Sequence, residues 1–264
     1  HIDHGKSTLS DRILEYCGAI NKLKKENQQI LDNLQVEKDR GITVKAQTAT
    51  MIFNFNNTKY LLNLIDTPGH VDFSFEVIRS LKPCQGAILL IDASKGIQAQ
   101  TVANYNHAKS LNLKILPVLN KIDLSGVDVE ESKNQIIETF KSEFIENENI
   151  DETDNSNKIS RDNIIGISAK QGVNIDILMK YIVNLLPPPK KSLNVNKKFK
   201  GLLYDAKYVE TKGVIMYIEV LEGEINKNIS ISSYQTGKSY DIFEVGIVQP
   251  EMNKMSSLRE GQVG

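Results

Sequence analysis

Two hydrophobic rhythms alternate along the first part of the chain. From Lys6 to Cys17, Leu9, Ile13, Leu14 and Cys17 recur at helical spacing and predict a helix with one apolar face. Residues 18–48 are polar and irregular. Ala49–Phe55 and Tyr60–Ile65 read as strands on either side of the turn signal Asn56-Asn57-Thr58, which predicts a hairpin. Val71–Leu81 places Phe73, Val77 and Leu81 on one side of a helix. Gly86–Ile91 is an unbroken apolar run, the texture of a strand covered on both faces. A helix over 101–111 and a second buried strand, Leu113–Leu119, follow. Asp128-Val-Glu-Glu131 is a capping box that opens a helix through Phe144. Ile164–Ile167 is a short strand, and the helix Ile175–Leu186 is stopped by Pro187, Pro188 and Pro189. Strands alternating with helices predict an α/β domain, a mostly parallel sheet with flanking helices.

Beyond the prolines the helical period disappears. Val214–Val220, Ile229–Ser232 and Tyr240–Val248 are strand-like runs separated by Gly223, Gly237 and Gly246. They predict a small antiparallel β-barrel. The expected division is an α/β domain over 1–186, a linker over 187–198 and the barrel over 199–264.

Composition narrows the function classes. With 40% apolar and 25% charged residues in 264, the chain is globular and long enough for two modest domains. It has 22 basic and 24 acidic side chains up to Lys190, and 10 and 9 beyond. Neither part is a basic module that grips nucleic acid by charge alone. No apolar run approaches the roughly 18 residues of a membrane span. Cys17 and Cys84 stand far apart, without metal or redox spacing. Six acids and no base between Glu143 and Asp154 read as a solvated insertion.

Four short motifs carry candidate chemistry. In Asp3-His4-Gly5-Lys6-Ser7-Thr8, GK[ST] opens a helix whose N-terminal N–H groups cradle phosphate; Lys6 would reach the β- and γ-phosphates and Ser7 would bind Mg²⁺. By itself Gly5-Lys6-Ser7-Thr8 is a weak signal, more often without nucleotide chemistry than with it. Asp66-Thr67-Pro68-Gly69-His70 follows a strand, placing an acid where it can hold Mg²⁺ through water; Gly69 lets a backbone N–H approach a γ-phosphate. Alone it is equally a turn with a helix cap. Asn120-Lys121-Ile122-Asp123 follows a buried strand, and its carboxylate can accept from the N1–H and N2–H₂ edge of guanine, donors that adenine lacks. Ser168-Ala169-Lys170 follows the next strand and can offer a backbone N–H to guanine O6. All four fall at the carboxyl ends of predicted parallel strands, where α/β sheets bind ligands. Jointly they point to a guanine nucleotide.

These residues resemble the P-loop GTPase domain of the translational GTPases, with GTP as substrate and Mg²⁺ as cofactor. Arg40-Gly41-Ile42-Thr43 resembles their first switch, which implies Thr43 as a ligand of Mg²⁺ and of the γ-phosphate. Asp66–His70 resembles the second switch, which implies His70 as the catalytic residue that orients the attacking water. Gly41–Gln47, Ile91–Thr101, Leu186–Lys190, Gly213-Val-Ile and Gly246-Ile-Val are most similar to the LepA, or elongation factor 4, family. The resemblance spans nearly all of 1–264 and lapses around 142–160.

It implies a ribosome-dependent GTPase that promotes accurate synthesis by back-translocating tRNAs. Its partners would be GTP or GDP and the ribosome, including rRNA, ribosomal proteins and tRNA, met mostly through later domains. It also implies a monomer in the bacterial cytoplasm or in an organelle matrix, with mitochondrial members touching the inner membrane. The alternatives are a translocase of the elongation factor G kind and a non-hydrolysing GTP-binding switch module. His1 and Gly264 both fall inside motif-like sequence. The expectation is that a central strand and the first half of the phosphate loop precede His1, that more barrel and further domains follow Gly264, and that 1–264 alone binds GTP poorly.

Overall fold

In the computed structural model Gly5 adopts a left-handed conformation, φ 88°, and turns the chain into α1 (Lys6–Tyr16), whose Leu9, Ile13 and Leu14 face inward. The structure describes residues 1–20, 37, 43–140, 161–191, 198–249 and 251–264. Arg40–Ile42, the acidic stretch 143–154 and the expected helix residues 141–144 lie outside the described residues.

β1 (Gln47–Phe55) and β2 (Thr58–Asp66) pair antiparallel along their whole length. Asn56 and Asn57, at φ 49° and 60°, make the two-residue left-handed loop that such a hairpin requires. The helix expected over Val71–Leu81 is two pieces, a 3₁₀ turn Val71–Phe73 and then α2 (Ser74–Leu81). The first turn tightens where the His70 side chain accepts from Asp72 N–H. β3 (Gly86–Asp92), α3 (Ala99–Ser110), β4 (Lys114–Asn120), α4 (Val129–Thr139), β5 (Ile165–Gly166) and α5 (Ile175–Leu185) follow in strict alternation. Asp128 caps α4 by accepting from the Glu130 and Glu131 N–H groups.

β3, β4 and β5 form a parallel sheet with β4 in the centre, and Asp92 lies level with Asn120. β4 is apolar on both faces because each face has its own core. Leu116 and Val118 join Leu9, Ile13 and Leu14 of α1, Met51 of β1, and Leu178 and Met179 of α5. Ile115 and Leu119 join Ile91, Tyr105, Ala108, Ile136 and Phe140 on the opposite face. Tyr105 and Phe140 stack there at 4.0 Å.

The remaining strands are all antiparallel. They are β6 (Lys200–Val209), β7 (Gly213–Glu222), β8 (Glu224–Asn226), β9 (Ile229–Ser232), β10 (Ser239–Ile242), β11 (Val245–Gln249), β12 (Glu251–Met255) and β13 (Ser257–Arg259). The run Tyr240–Val248 is split in two, because β10 pairs with β9 whereas β11 pairs with β12. Ile218, Val220, Ile225, Ile242, Val245 and Leu258 fill this second core. Ile218 exchanges backbone hydrogen bonds with Gly264 at 2.8 and 3.0 Å. Among the described residues no helix is long and apolar enough to cross a membrane.

Leu178 is completely buried between α5 and the sheet. Leu178→Ala is expected to cost ~2–5 kcal/mol, by the lost transfer energy and the cavity left behind, as measured by urea denaturation.

Candidate functional site

The strand ends place the candidate residues. Asp66 closes β2, Asp92 closes β3 and Asn120 closes β4; Ser168 lies two residues beyond β5. All are buried at the carboxyl edge of the sheets. The N-terminal loop 1–5 crosses this edge before entering α1.

Asn120 joins the first, third and fourth motifs. Its Nδ2 donates to His4 O at 2.9 Å and its Oδ1 accepts from Ala169 N–H at 3.0 Å. The fit is close: a Cβ on Gly5 would overlap the Asn120 amide. Lys121 has φ 65°, a conformation that costs a non-glycine residue energy. It lays its ammonium along the loop, donating to Asp3 O at 2.6 Å and pairing with Asp92 at 2.7 Å. Burial would push the Asp92 carboxyl up. The Lys121 ammonium and the Ser94 donors outweigh that and hold it below the ordinary carboxylate range. His4, fully enclosed, is driven down by burial to about 4, so it is neutral at physiological pH. Asp92 N–H donates to its Nδ1 at 3.2 Å.

The first and second motifs meet at Lys6 and Gly69. Lys6 Nζ donates to His1 O at 2.8 Å, and a Cβ on Gly69 would collide with that same ammonium. The Gly69 backbone therefore lies directly against the Lys6 charge. Ser7 and Thr43 hydroxyls, both buried, meet at 2.8 Å. Two hard oxygen donors at a helix N-terminus suit Mg²⁺, which prefers oxygen ligands completed by water and phosphate. Among the described residues no cluster of three or more His, Cys, Asp and Glu side chains could hold a metal ion. A Mg²⁺ ion here would combine these hydroxyls with nucleotide oxygens and water.

Other candidates sit at the rim. Asp123 and Lys170 are exposed, and Gln171 Nε2 donates to Asp123 at 3.2 Å. Ile122 is half-buried and its N–H donates to Ile167 O at 3.2 Å. Thr8 is half-buried in the first turn of α1; Thr67 is half-buried and Pro68 is buried. The His70 ring is about one-third exposed and engages Asp72, whose N–H donates to Nδ1 at 3.1 Å and whose carboxylate lies 3.3 Å away.

Three supporting residues carry no motif. Arg12 on α1 donates to Ala169 O at 3.0 Å and Lys170 O at 2.9 Å, fixing the Ser168–Lys170 loop. Glu37 is fully buried and accepts from Val44 N–H at 3.0 Å and Lys45 N–H at 3.1 Å, anchoring the segment after Thr43. Asp92 had one legible signal, its position directly after an apolar strand, as for Asp66 and Asn120.

Comparison with known proteins gives concordant relatives. The family model for the elongation factor Tu GTP binding domain matches residues 1–188. The chain is 46% identical over 264 residues to the mitochondrial translation factor GUF1 of Homo sapiens, covering all of this chain and 36% of that protein. It is 47% identical over 268 residues to GUF1 of Lachancea thermotolerans, covering all of this chain and 39% of that protein. The chain thus spans well under half the length of these relatives. Among solved structures, a Thermus thermophilus protein superposes with a TM-score of 0.78 at 15% identity, covering all of this chain and half of that one. A bacterial selenocysteine-specific elongation factor superposes at 0.71 and 24%, covering all of this chain and 40% of the other. At such identities these structures support the fold alone.

Asn120→Ala leaves the His4 carbonyl and the Ala169 N–H buried without that amide. It is expected to cost ~1–3 kcal/mol in urea denaturation. Faster amide hydrogen exchange should appear at Ala169 as well as around residue 120.

Proposed function

The chain belongs to the family of the elongation factor Tu GTP-binding domain, and on that premise we propose that it is the GTP-hydrolysing part of a ribosome-dependent translation factor of the LepA type. The observation that carries this reading is the convergence at one sheet edge. Asn120 ties the phosphate-loop residues to Ser168–Lys170, Lys6 lies against Gly69, and Ser7 meets Thr43. The whole-chain identity to GUF1 proteins supports the LepA type over a translocase. Intact Thr43 and His70 favour hydrolysis over a binding-only switch.

The division of labour follows from the chemistry of phosphoryl transfer, which needs positioning and charge neutralisation more than covalent help. Residues 1–186 form the nucleotide domain, 187–198 the linker and 199–264 the second, barrel domain. Asp3–Thr8 wrap the phosphates with backbone N–H groups and the start of α1. Lys6 neutralises the β- and γ-phosphates. Ser7 and Thr43 hold Mg²⁺ directly, and Asp66 holds it through water. Bound Mg²⁺ supplies positive charge against the phosphate oxygens. Thr67 and Pro68 carry the chain from Asp66 to Gly69, whose N–H donates to the γ-phosphate. Asp123 accepts from the guanine edge, an amide of Ser168–Lys170 serves guanine O6, and Lys121 and Ile122 hold that loop.

His70 orients the attacking water. In the structure Asp72 N–H donates to its Nδ1, which fixes the ring and leaves Nε2 for the water. Docking on the ribosome would bring the ring to the γ-phosphate, so turnover is expected to be slow without ribosomes. Loss of the γ-phosphate would release the segments around Thr43 and Gly69. The names of the relatives support an organelle matrix as the place of work. A monomeric state and contact with the inner membrane complete the reading.

Single-turnover GTP hydrolysis by the full-length protein, with and without ribosomes, tests it. Ribosomes should accelerate the wild type strongly. His70→Ala should lose at least ~100-fold of the stimulated rate and keep GTP binding. A His70→Ala protein with full stimulated activity overturns the assignment. Asp123→Ala should weaken GTP binding by ~10–150-fold, the worth of hydrogen bonds to a charged group, and unchanged affinity would refute guanine recognition there.

A further inference from the structure

Two consecutive residues of β6 reach back to the nucleotide domain, beside a second link in which Gln85 Nε2 donates to Glu219 of β7 at 2.8 Å. Tyr204 is buried, and its hydroxyl meets Thr48 Oγ1 of β1 at 3.0 Å. Asp205 splits its carboxylate: Oδ1 pairs with Arg79 of α2 at 2.9 Å and Oδ2 with Lys45 at 3.5 Å. Consecutive residues of a regular strand point to opposite faces. Here they do not, because the β6–β7 register shifts between Leu203 and Asp205. Leu203 faces Ile218 and Asp205 faces Tyr217, with Tyr204 as the extra residue of a bulge. Bulges re-aim side chains in this way, and they cluster beside active sites.

The two cations come from informative places. Lys45 lies two residues after Thr43, and the segment between them is pinned by Glu37. Arg79 lies on the helix that follows His70, where Glu76 also holds it at 2.7 and 2.8 Å. One carboxylate, its side chain only 10% exposed, therefore touches the segments beyond both the Thr43 and the His70 positions. In that sheltered site the attraction is screened less than it is between exposed charges.

We propose that Asp205 is a positioning residue for hydrolysis: it holds the segment after Thr43 and the helix after His70 at a fixed separation, so the barrel favours one relative placement of the two. This rests on the roles given above to Thr43 and His70. Asp205 touches no reacting atom. It acts through Lys45 and Arg79, and removing its charge lets the two segments drift independently without emptying the nucleotide site.

The test uses the full-length protein with Asp205→Asn, which keeps the shape and removes the charge. Thr48→Val is the control, because it removes the neighbouring contact between the same domains but touches neither cation. Asp205→Asn should lower ribosome-stimulated kcat about tenfold, within the range of coupling between contacting residues, with GDP affinity within twofold of wild type. It should also lower the preference for a non-hydrolysable GTP analogue over GDP. Lys45→Gln added to Asp205→Asn should cost less than the product of the two single effects. Thr48→Val should leave kcat within twofold. Unchanged kcat and nucleotide preference in Asp205→Asn overturn the proposal, as does an equal loss in Thr48→Val, which would mark general loosening of the interface. If wild-type protein shows no ribosome-stimulated hydrolysis, the functional reading fails instead. The nucleotide preference, read on the same proteins, still decides for or against Asp205.

Discussion

The amide of Asn120 is the joint on which the candidate site depends. A primary amide has a donor end and an acceptor end, and here each is used once: Nδ2 on the His4 carbonyl and Oδ1 on the Ala169 N–H. Gln carries the same planar amide but is longer by a methylene. A side chain at position 5 would overlap this amide. The loop before α1 and the loop after β5 are thus held in register through the end of β4. Lys121 adds the charged counterpart by pairing with Asp92 and Asp3 O.

That joint is rigid because β4 is. Leu116 and Val118 pack into one core and Ile115 and Leu119 into another. The strand is clamped from both sides, so its last residue has little freedom. Polar residues that must hold a geometry sit at the ends of such strands, where the backbone is fixed but a ligand can still approach. The segment around His70 is built differently. His70 caps a short 3₁₀ turn, and its ring is one-third exposed rather than enclosed by a core.

Periodicity and turn chemistry were sufficient for most elements. The Asn56-Asn57 loop, the two apolar strands and the prolines after α5 act within a few residues, so their effect is written locally. Misreadings arose where a side-chain cap or a change of pairing partner intervened. The continuous helix expected from Val71 became a 3₁₀ turn and α2 because the His70 ring caps Asp72. The expected strand Tyr240–Val248 divided because its halves pair with different partners. Arg12, Glu37 and Asp205 were illegible for a related reason. A charged residue on a helix or strand looks solvated until the carbonyl or cation that it reaches is known.

The sequence by itself determined the alternation of strands and helices, the change to antiparallel strands after the prolines and the four motifs from which a guanine-nucleotide site is proposed. Those depend on backbone preferences and on side-chain chemistry at fixed short spacing. Only the tertiary structure decided that Asn120 spans 116 residues to His4 and 49 to Ala169, that Ser7 meets Thr43, and that a bulge at Tyr204 turns Asp205 toward Lys45 and Arg79. Such pairings follow from sheet order, strand register and the packing of each helix on its face. A one-residue shift in register reverses which way a side chain points, and nothing in the local sequence of either partner specifies it.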